Sequence, residues 1–131
     1  SIEIENHLQA NTLVLADVVK LRLVLQNIIE NAVEYTRAGG SVNITLTEEY
    51  MLSVSVKDTG IGIPADQQEK IFKQFFRARN AIKVKTEGSG LGLSLVRETL
   101  EQMGGTITFT SQENKGSTFI LTLPKVLKSP L

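Results

Sequence analysis

Two asparagines, Asn27 and Asn31, stand one helical turn apart, and a single aspartate opens the run Asp58-Thr59-Gly60-Ile61-Gly62. A carboxamide oxygen is a hard, neutral ligand. It suits Mg2+, which prefers oxygen donors and keeps phosphates and waters in its shell. A carboxylate at the end of a strand can accept from an exocyclic amine, which adenine presents at N6, where guanine presents a carbonyl. Gly60 and Gly62 would let the backbone approach such a base closely. Further on, Gly88-Ser89-Gly90-Leu91-Gly92 opens a helix, and the unpaired N–H groups and dipole of a helix N-terminus favour phosphate. This segment is not a Walker A loop, because no Gly-Lys-Ser/Thr follows, and its glycine spacing is not that of a dinucleotide fold. Ser117 alternates with Phe119, Leu121 and Leu123, so its hydroxyl faces the helix-covered side and could share a water with Asp58. Between the glycine segments lie Arg77, Arg79, Lys83 and Lys85, four cations able to close on a triphosphate. In this order the segments describe one pocket with a metal ligand, a base reader and two glycine-lined walls, which is the chemical need of Mg·ATP.

Elements must hold these side chains in place. Residues 1–16 read as extended, from the alternation of Ile2 and Ile4 and the short apolar run Thr12 to Ala16. Asp17 fits an N-cap before a helix with Leu21, Leu25, Ile28 and Ala32 inward, which Gly39-Gly40 would stop. Val42, Ile44 and Leu46, then Leu52, Val54 and Val56, alternate as a hairpin. Pro64 fits the start of a second helix whose buried end would hold Ile71, Phe72, Phe75 and Phe76. Residues 77–88 carry few large apolar groups and read as a mobile loop. A third helix is expected from about Ser89 to Met103, with Leu93, Val96, Leu100 and Met103 inward. Two strands follow near 106–111 and 117–123, joined at Asn114-Lys115-Gly116, and 125–131 reads as a tail. Strands paired as hairpins, without regular βαβ units, argue for an α+β sandwich, a mixed or antiparallel sheet with helices on one face.

Composition excludes several alternatives. The chain has 131 residues, enough for one domain with a core, and an ordinary 41% of hydrophobic residues. Its 14 basic and 14 acidic residues cancel, which leaves no electrostatic footprint for nucleic acid or anionic lipid. With no cysteine and one histidine, His7, it has no thiolate chemistry and no zinc site of its own. No apolar run approaches the roughly 18 residues of a membrane span. A first residue of Ser in place of Met reads as a domain excised from a larger protein.

Five segments in register carry a family resemblance over about residues 1–124. The stretch from Asp17 to Thr36, ending Asn31-Ala32-Val33-Glu34-Tyr35-Thr36, resembles the N box of sensor histidine kinases, of the superfamily shared with DNA gyrase, Hsp90 and MutL. Asp58 to Pro64 resembles their G1 box and Ile71 to Arg77 their F box. Gly88 to Leu93 resembles the G2 box, and Gly116-Ser117-Thr118-Phe119 with Leu123-Pro124 the closing signature. The resemblance implies a Bergerat-type two-layer sandwich with a mixed sheet under three helices and ATP between the layers. It implies Mg2+ on Asn31, phosphate support from Asn27, adenine read by Asp58, and residues 77–88 as an ATP lid. Arg77 would lie near the γ-phosphate or the acceptor histidine. Gly60, Gly62, Gly88, Gly90, Leu91, Gly92, Ser117, Lys83, Lys85 and Tyr35 complete the expected nucleotide site. The phosphoryl group would pass to a histidine on a separate helical dimerisation domain of the same parent protein, with a response regulator downstream. The domain would be cytoplasmic and monomeric in isolation, with its parent an inner-membrane sensor.

Departures from the pattern matter as much. Hydrolysing relatives resemble Glu-x-x-x-Asn, where the glutamate activates water; the same position here is Asn27, a weak base. The position three after Asn31 is often basic in the family and near phosphate, and here it is Glu34. Leu23 replaces a common glutamine. His7 is not in the family's acceptor motif. Two rival readings follow: a non-catalytic nucleotide-binding module of the same fold, for which Glu34 speaks, and a gyrase- or Hsp90-type ATPase, against which Asn27 speaks. An aspartic protease, suggested by Asp-Thr-Gly, would need a second such segment and a nearly all-β chain.

Overall fold

The computed structural model describes residues 3–7, 18–85, 90 and 92–124. The elements run β1 (Glu3–His7), α1 (Val18–Glu34), β2 (Ser41–Glu48), β3 (Met51–Asp58), a 3-10 helix (Ala65–Lys70), α2 (Arg79–Val84), α3 (Gly92–Gln102), β4 (Thr106–Gln112) and β5 (Gly116–Pro124). The five strands form one sheet in the order β1-β2-β3-β5-β4. β1 pairs parallel to β2, and the other three pairings are antiparallel. The sheet is therefore mixed, as the hairpin pattern and the resemblance lead one to expect. α1 and α3 pack on each other and on the sheet. No helix among the described residues is long and apolar enough to cross a membrane.

Alternation on the strands builds the core. Val42, Ile44, Val54, Val56, Ile107, Phe119, Leu121 and Leu123 face the helices and are buried. From the other layer, α1 sends in Val24, Ile28 and Ala32 at four-residue spacing, and α3 sends in Val96 and Leu100. The expected inward stripe of α1 is thus rotated slightly. Leu21 and Leu25 are only partly buried, because the centre of the contact with the sheet and α3 runs through Val24. Phe109 stacks on Phe119 at 5.5 Å and meets Phe72 edge-on at 5.8 Å, and the Arg97 guanidinium lies 4.9 Å over the Phe72 ring.

Four local expectations are corrected. α1 ends at Glu34, short of Gly39, because the Thr36 hydroxyl donates to Ala32 O at 2.6 Å and closes the last turn. The segment after Pro64 is a 3-10 helix that stops at Lys70. Phe75 adopts φ 67 and is 72% exposed, so it cannot form a buried helix end; only Ile71 of the four expected residues is fully buried. Residues 79–84, expected as loop, form α2, with no buried residue. Its first N–H finds a partner from outside, donating to Gln67 Oε1 at 3.0 Å, and Arg79 pairs with Asp66 at 2.9 Å. Asp17, most of 1–16, 86–89, Leu91 and 125–131 lie outside the described residues.

Candidate functional site

β2, β3, β5 and β4 end in one transverse row, in which Val42 pairs with Asp58, Asp58 with Ser117, and Ser117 with Ser111. The inward face of the sheet thus turns from apolar to polar at this edge. A cavity of about 320 Å3 opens there, between the sheet edge, α1, α2 and the start of α3. Its lining brings together Asn27, Asn31, Tyr35, Asp58, Gly62, Arg77, Lys85, Gly90, Gly92 and Ser117, all expected from the sequence. Ile61, Ile63, Ile71, Phe76, Leu93 and Phe119 give it an apolar floor.

Asp58 marks one end. Its Oδ1 accepts from the N–H groups of Gly60 at 2.8 Å and Ser117 at 3.2 Å, so both backbone donors converge on one oxygen. Oδ2 is then the oxygen available to a ligand. Burial pushes the carboxyl above the usual aspartate range, and the two backbone bonds offset this only in part. The glycines beside it meet a need within the fold itself. A Cβ on Gly60 would lie 2.5 Å from Tyr35 O, and one on Gly62, at φ +66, would lie 2.0 Å from Gln112 O. They allow the turn to press against the protein's own backbone, with Ile61 N–H donating to Tyr35 O and Asn114 N–H to Ile61 O. Gly60 does not line the cavity; Gly62 does.

Ser117 faces inward as expected, yet its hydroxyl is already engaged with Ser111 Oγ at 2.7 Å. Ser111 Oγ also accepts from Ile63 N–H at 2.8 Å, and Gln68 Nε2 donates to Ser111 O and Ile63 O. This network ties the turn after Asp58 to β4.

The opposite end is carboxamide. Asn27 Nδ2 donates back to Leu23 O at 2.8 Å, which leaves Oδ1 as its outward atom, facing Gly92 at the start of α3. Asn31, one turn on, makes no hydrogen bond through its side chain to another described residue. Two amide oxygens on one helix face, neither bonded to another described residue, fit a hard divalent cation with remaining sites for phosphate and water. Glu30 also lines this end and accepts from Gln26 Nε2 at 3.0 Å.

The facing wall comes from residues 76–85. Arg77 donates to Lys85 O and lies 3.4 Å from the Tyr35 hydroxyl, and Lys85 pairs with Glu34. Lys83 is exposed on α2 and is not among the lining residues; Gly88 and Leu91 lie outside the described residues. Phe75 N–H donates to Gly90 O at 2.9 Å, where Gly90 at φ +71 leaves no room for a side chain against Phe75.

Sequence reasoning missed Asn80. Its Nδ2 donates to Gly62 O at 2.9 Å and reaches Ile61 O at 3.4 Å, joining α2 to the Asp58 turn, while its Oδ1 is buried without a partner. Only its place in a cation-rich segment next to the cavity could have flagged it. Glu30 and Ser111 were also missed, though each sits at a spacing that shares a face with a residue that was found.

Known proteins of similar sequence and fold give the family. Residues 16–127 match the family described as histidine kinase-, DNA gyrase B-, and HSP90-like ATPase. The chain is 45% identical over 106 residues to the sensor histidine kinase RppB of Synechocystis sp., covering 80% of this chain and 23% of RppB. It therefore spans under a quarter of that relative's length. Among solved structures, the catalytic domain of the histidine kinase ThkA superposes with a TM-score of 0.77 at 37% identity, covering 95% of this chain and 79% of that one. Full-length ShkA in complex with AMPPNP superposes at 0.79 with 33% identity, covering 99% of this chain and 27% of ShkA. With its fold and most of its length matched, the chain belongs to the histidine kinase-, DNA gyrase B- and HSP90-like ATPase family.

Proposed function

We propose that this domain binds Mg·ATP in the cavity and donates the γ-phosphoryl group to a histidine on a separate helical dimerisation domain of its parent protein, with a response regulator downstream. One observation carries this reading: Asp58 and Asn31, side chains suited to read a base and to hold a metal, line the same cavity. The AMPPNP held by the structural relative ShkA supports the nucleotide assignment. Asp58 Oδ2 would accept from adenine N6. Asn31, supported by Asn27, would hold Mg2+, which when bound neutralises phosphate charge and orients the triphosphate. Arg77 and Lys85 would meet the terminal phosphates, and the N-terminus of α3 at Gly92 would add backbone donors. Ser117 would act through the N–H it donates to Asp58.

Catalysis would be chiefly positioning and charge neutralisation. The incoming imidazole nitrogen forms a P–N bond as the bond to the bridging oxygen of ADP breaks. Asn27 cannot act as an efficient base, so water is a poor competitor. The domain would act in the cytoplasm, as a monomer in isolation, within a parent tied to the inner membrane. The decisive experiment mixes the domain with γ-labelled ATP, Mg2+ and the helical domain of its parent. Acid-labile label on the acceptor histidine is the expected result; nucleotide binding with no transfer would leave a binding module instead.

Glu30 favours a second reading, a hydrolysing ATPase, because it places a carboxylate at the Asn31 end of the cavity. Steady phosphate release by the isolated domain, lost in Glu30→Gln, would establish that reading over the first.

A further inference from the structure

We propose that Glu34 and the terminal phosphates of the nucleotide compete for the Lys85 ammonium, so that this pair sets how strongly the site prefers nucleoside polyphosphates over adenosine. The inference rests on the reading of the cavity as an ATP site.

Glu34 is the last residue of α1, at the negative end of the helix dipole, and the last turn of α1 holds no basic residue. One turn earlier on the same face, Glu30 lines the cavity too. Two carboxylates and the dipole thus concentrate negative potential beside Asn31, where phosphates would lie. The cations that face this wall among the described residues are Arg77 and Lys85. Lys85 Nζ pairs with Glu34 Oε1, and this contact holds the ammonium proton more firmly than usual, so Lys85 is charged at any working pH.

The pair is built to exchange. The backbone of Lys85 is fixed at both ends of its peptide, with N–H donating to Ala81 O at 2.9 Å and C=O accepting from Arg77. The ammonium beyond it rides on a flexible four-carbon stem. The side chains of Lys85 and Glu34 are 49% and 36% exposed, and a solvated ion pair of this kind is weak. A phosphate entering the cavity offers Lys85 stronger charge-assisted bonds. Binding then has two opposing contributions from Glu34: the pair must be broken, and the released carboxylate is left near phosphate. Removing the Glu34 charge removes both. Removing Lys85 takes away the phosphate contact and the pair together.

The test is calorimetric titration of the domain with ATP, ADP and adenosine, in Mg2+, for wild type, Glu34→Gln, Lys85→Gln and the double variant. Glu34→Gln should tighten ATP about fivefold, tighten ADP less, and leave adenosine within about twofold. Lys85→Gln should weaken ATP about tenfold. In the Lys85→Gln background the gain from Glu34→Gln should fall to about twofold, the residue of simple repulsion. The reversed pair, Glu34→Lys with Lys85→Glu, keeps the ion pair and guards against a folding artefact; it should bind ATP at least as well as wild type. Unchanged or weaker ATP binding in Glu34→Gln, or an equal gain in both backgrounds, would overturn the exchange. Wild type that binds none of the three ligands would overturn the ATP reading itself.

Discussion

Asp58→Asn separates recognition from packing more cleanly than any truncation. Both backbone donors, Gly60 N–H and Ser117 N–H, land on Oδ1. The asparagine must therefore keep its oxygen there, since turning the amide would aim NH2 at two N–H groups. Its Nδ2 is thereby locked where Oδ2 stood, facing the cavity, and a donor meets the N6 amine of adenine. Losing a hydrogen bond to a charged acceptor costs about 1.5–3 kcal/mol, and leaving the amine unpaired costs about 1–3 kcal/mol more. The sum is about 2.5–6 kcal/mol, or a loss of roughly 10^2 to 10^4 in ATP affinity. Guanine presents a carbonyl at the same place, so the ratio of GTP to ATP affinity should rise. Stability should move the other way. Because burial raises the Asp58 pKa, the folded state above that value carries a charge that the unfolded state holds more easily. Asp58→Asn should therefore raise the melting temperature at neutral pH, and its advantage should shrink as the pH falls through the raised pKa towards 3.8, where wild type protonates and recovers. Titration calorimetry with both nucleotides and thermal unfolding at several pH values read these effects. Wild-type ATP affinity in Asp58→Asn, or a variant less stable at pH 7, would refute the reasoning.

Other outcomes follow from the same geometry. In wild type, ATP affinity should decline over the same fall in pH, as the acceptor on Asp58 is lost, while stability does not decline on its account; a binding profile flat through that window would contradict this. Asn31→Ala should weaken ATP binding about tenfold or more in Mg2+ and have little effect in EDTA, as titrations in the two buffers would reveal. Gly62→Ala should cost about 2–4 kcal/mol in urea unfolding, since it adds a left-handed-region penalty of about 1–2 kcal/mol to a backbone clash with Gln112 O. Asn80→Ala should cost about 1 kcal/mol at most, because it deletes two hydrogen bonds along with an unpaired buried oxygen, and should speed amide exchange in α2.

The residues most legible in the sequence were those whose role depends on spacing within one element. Asn27 and Asn31 share a helix face, and Ser117 shares a strand face with Phe119, so both placements follow from chain geometry alone. The hairpins and the mixed sheet were legible for the same reason. What escaped was set by contacts between elements. Phe72, Phe75 and Phe76 have helical spacing, but a left-handed residue at Phe75 breaks the run, and that conformation is held by Gly90, distant in sequence. α2 has no apolar stripe to announce it and depends on Gln67 and Asp66 for its first turn. Asn80 matters only because α2 brings it over Gly62. The glycines of the Asp58 turn were found, but the crowding they relieve, from the Tyr35 and Gln112 backbones, was not, since no local pattern reveals it.

Phe75 and Gly90, joined by a backbone hydrogen bond with both residues at positive φ, pin together two points of the chain that lie well apart in sequence. Such a closure tolerates insertion between its ends: doubling the length of the intervening chain would add only about 0.6 kcal/mol of closure entropy. An engineer could therefore lengthen the intervening segment while the sheet edge at Asp58 stays as it is.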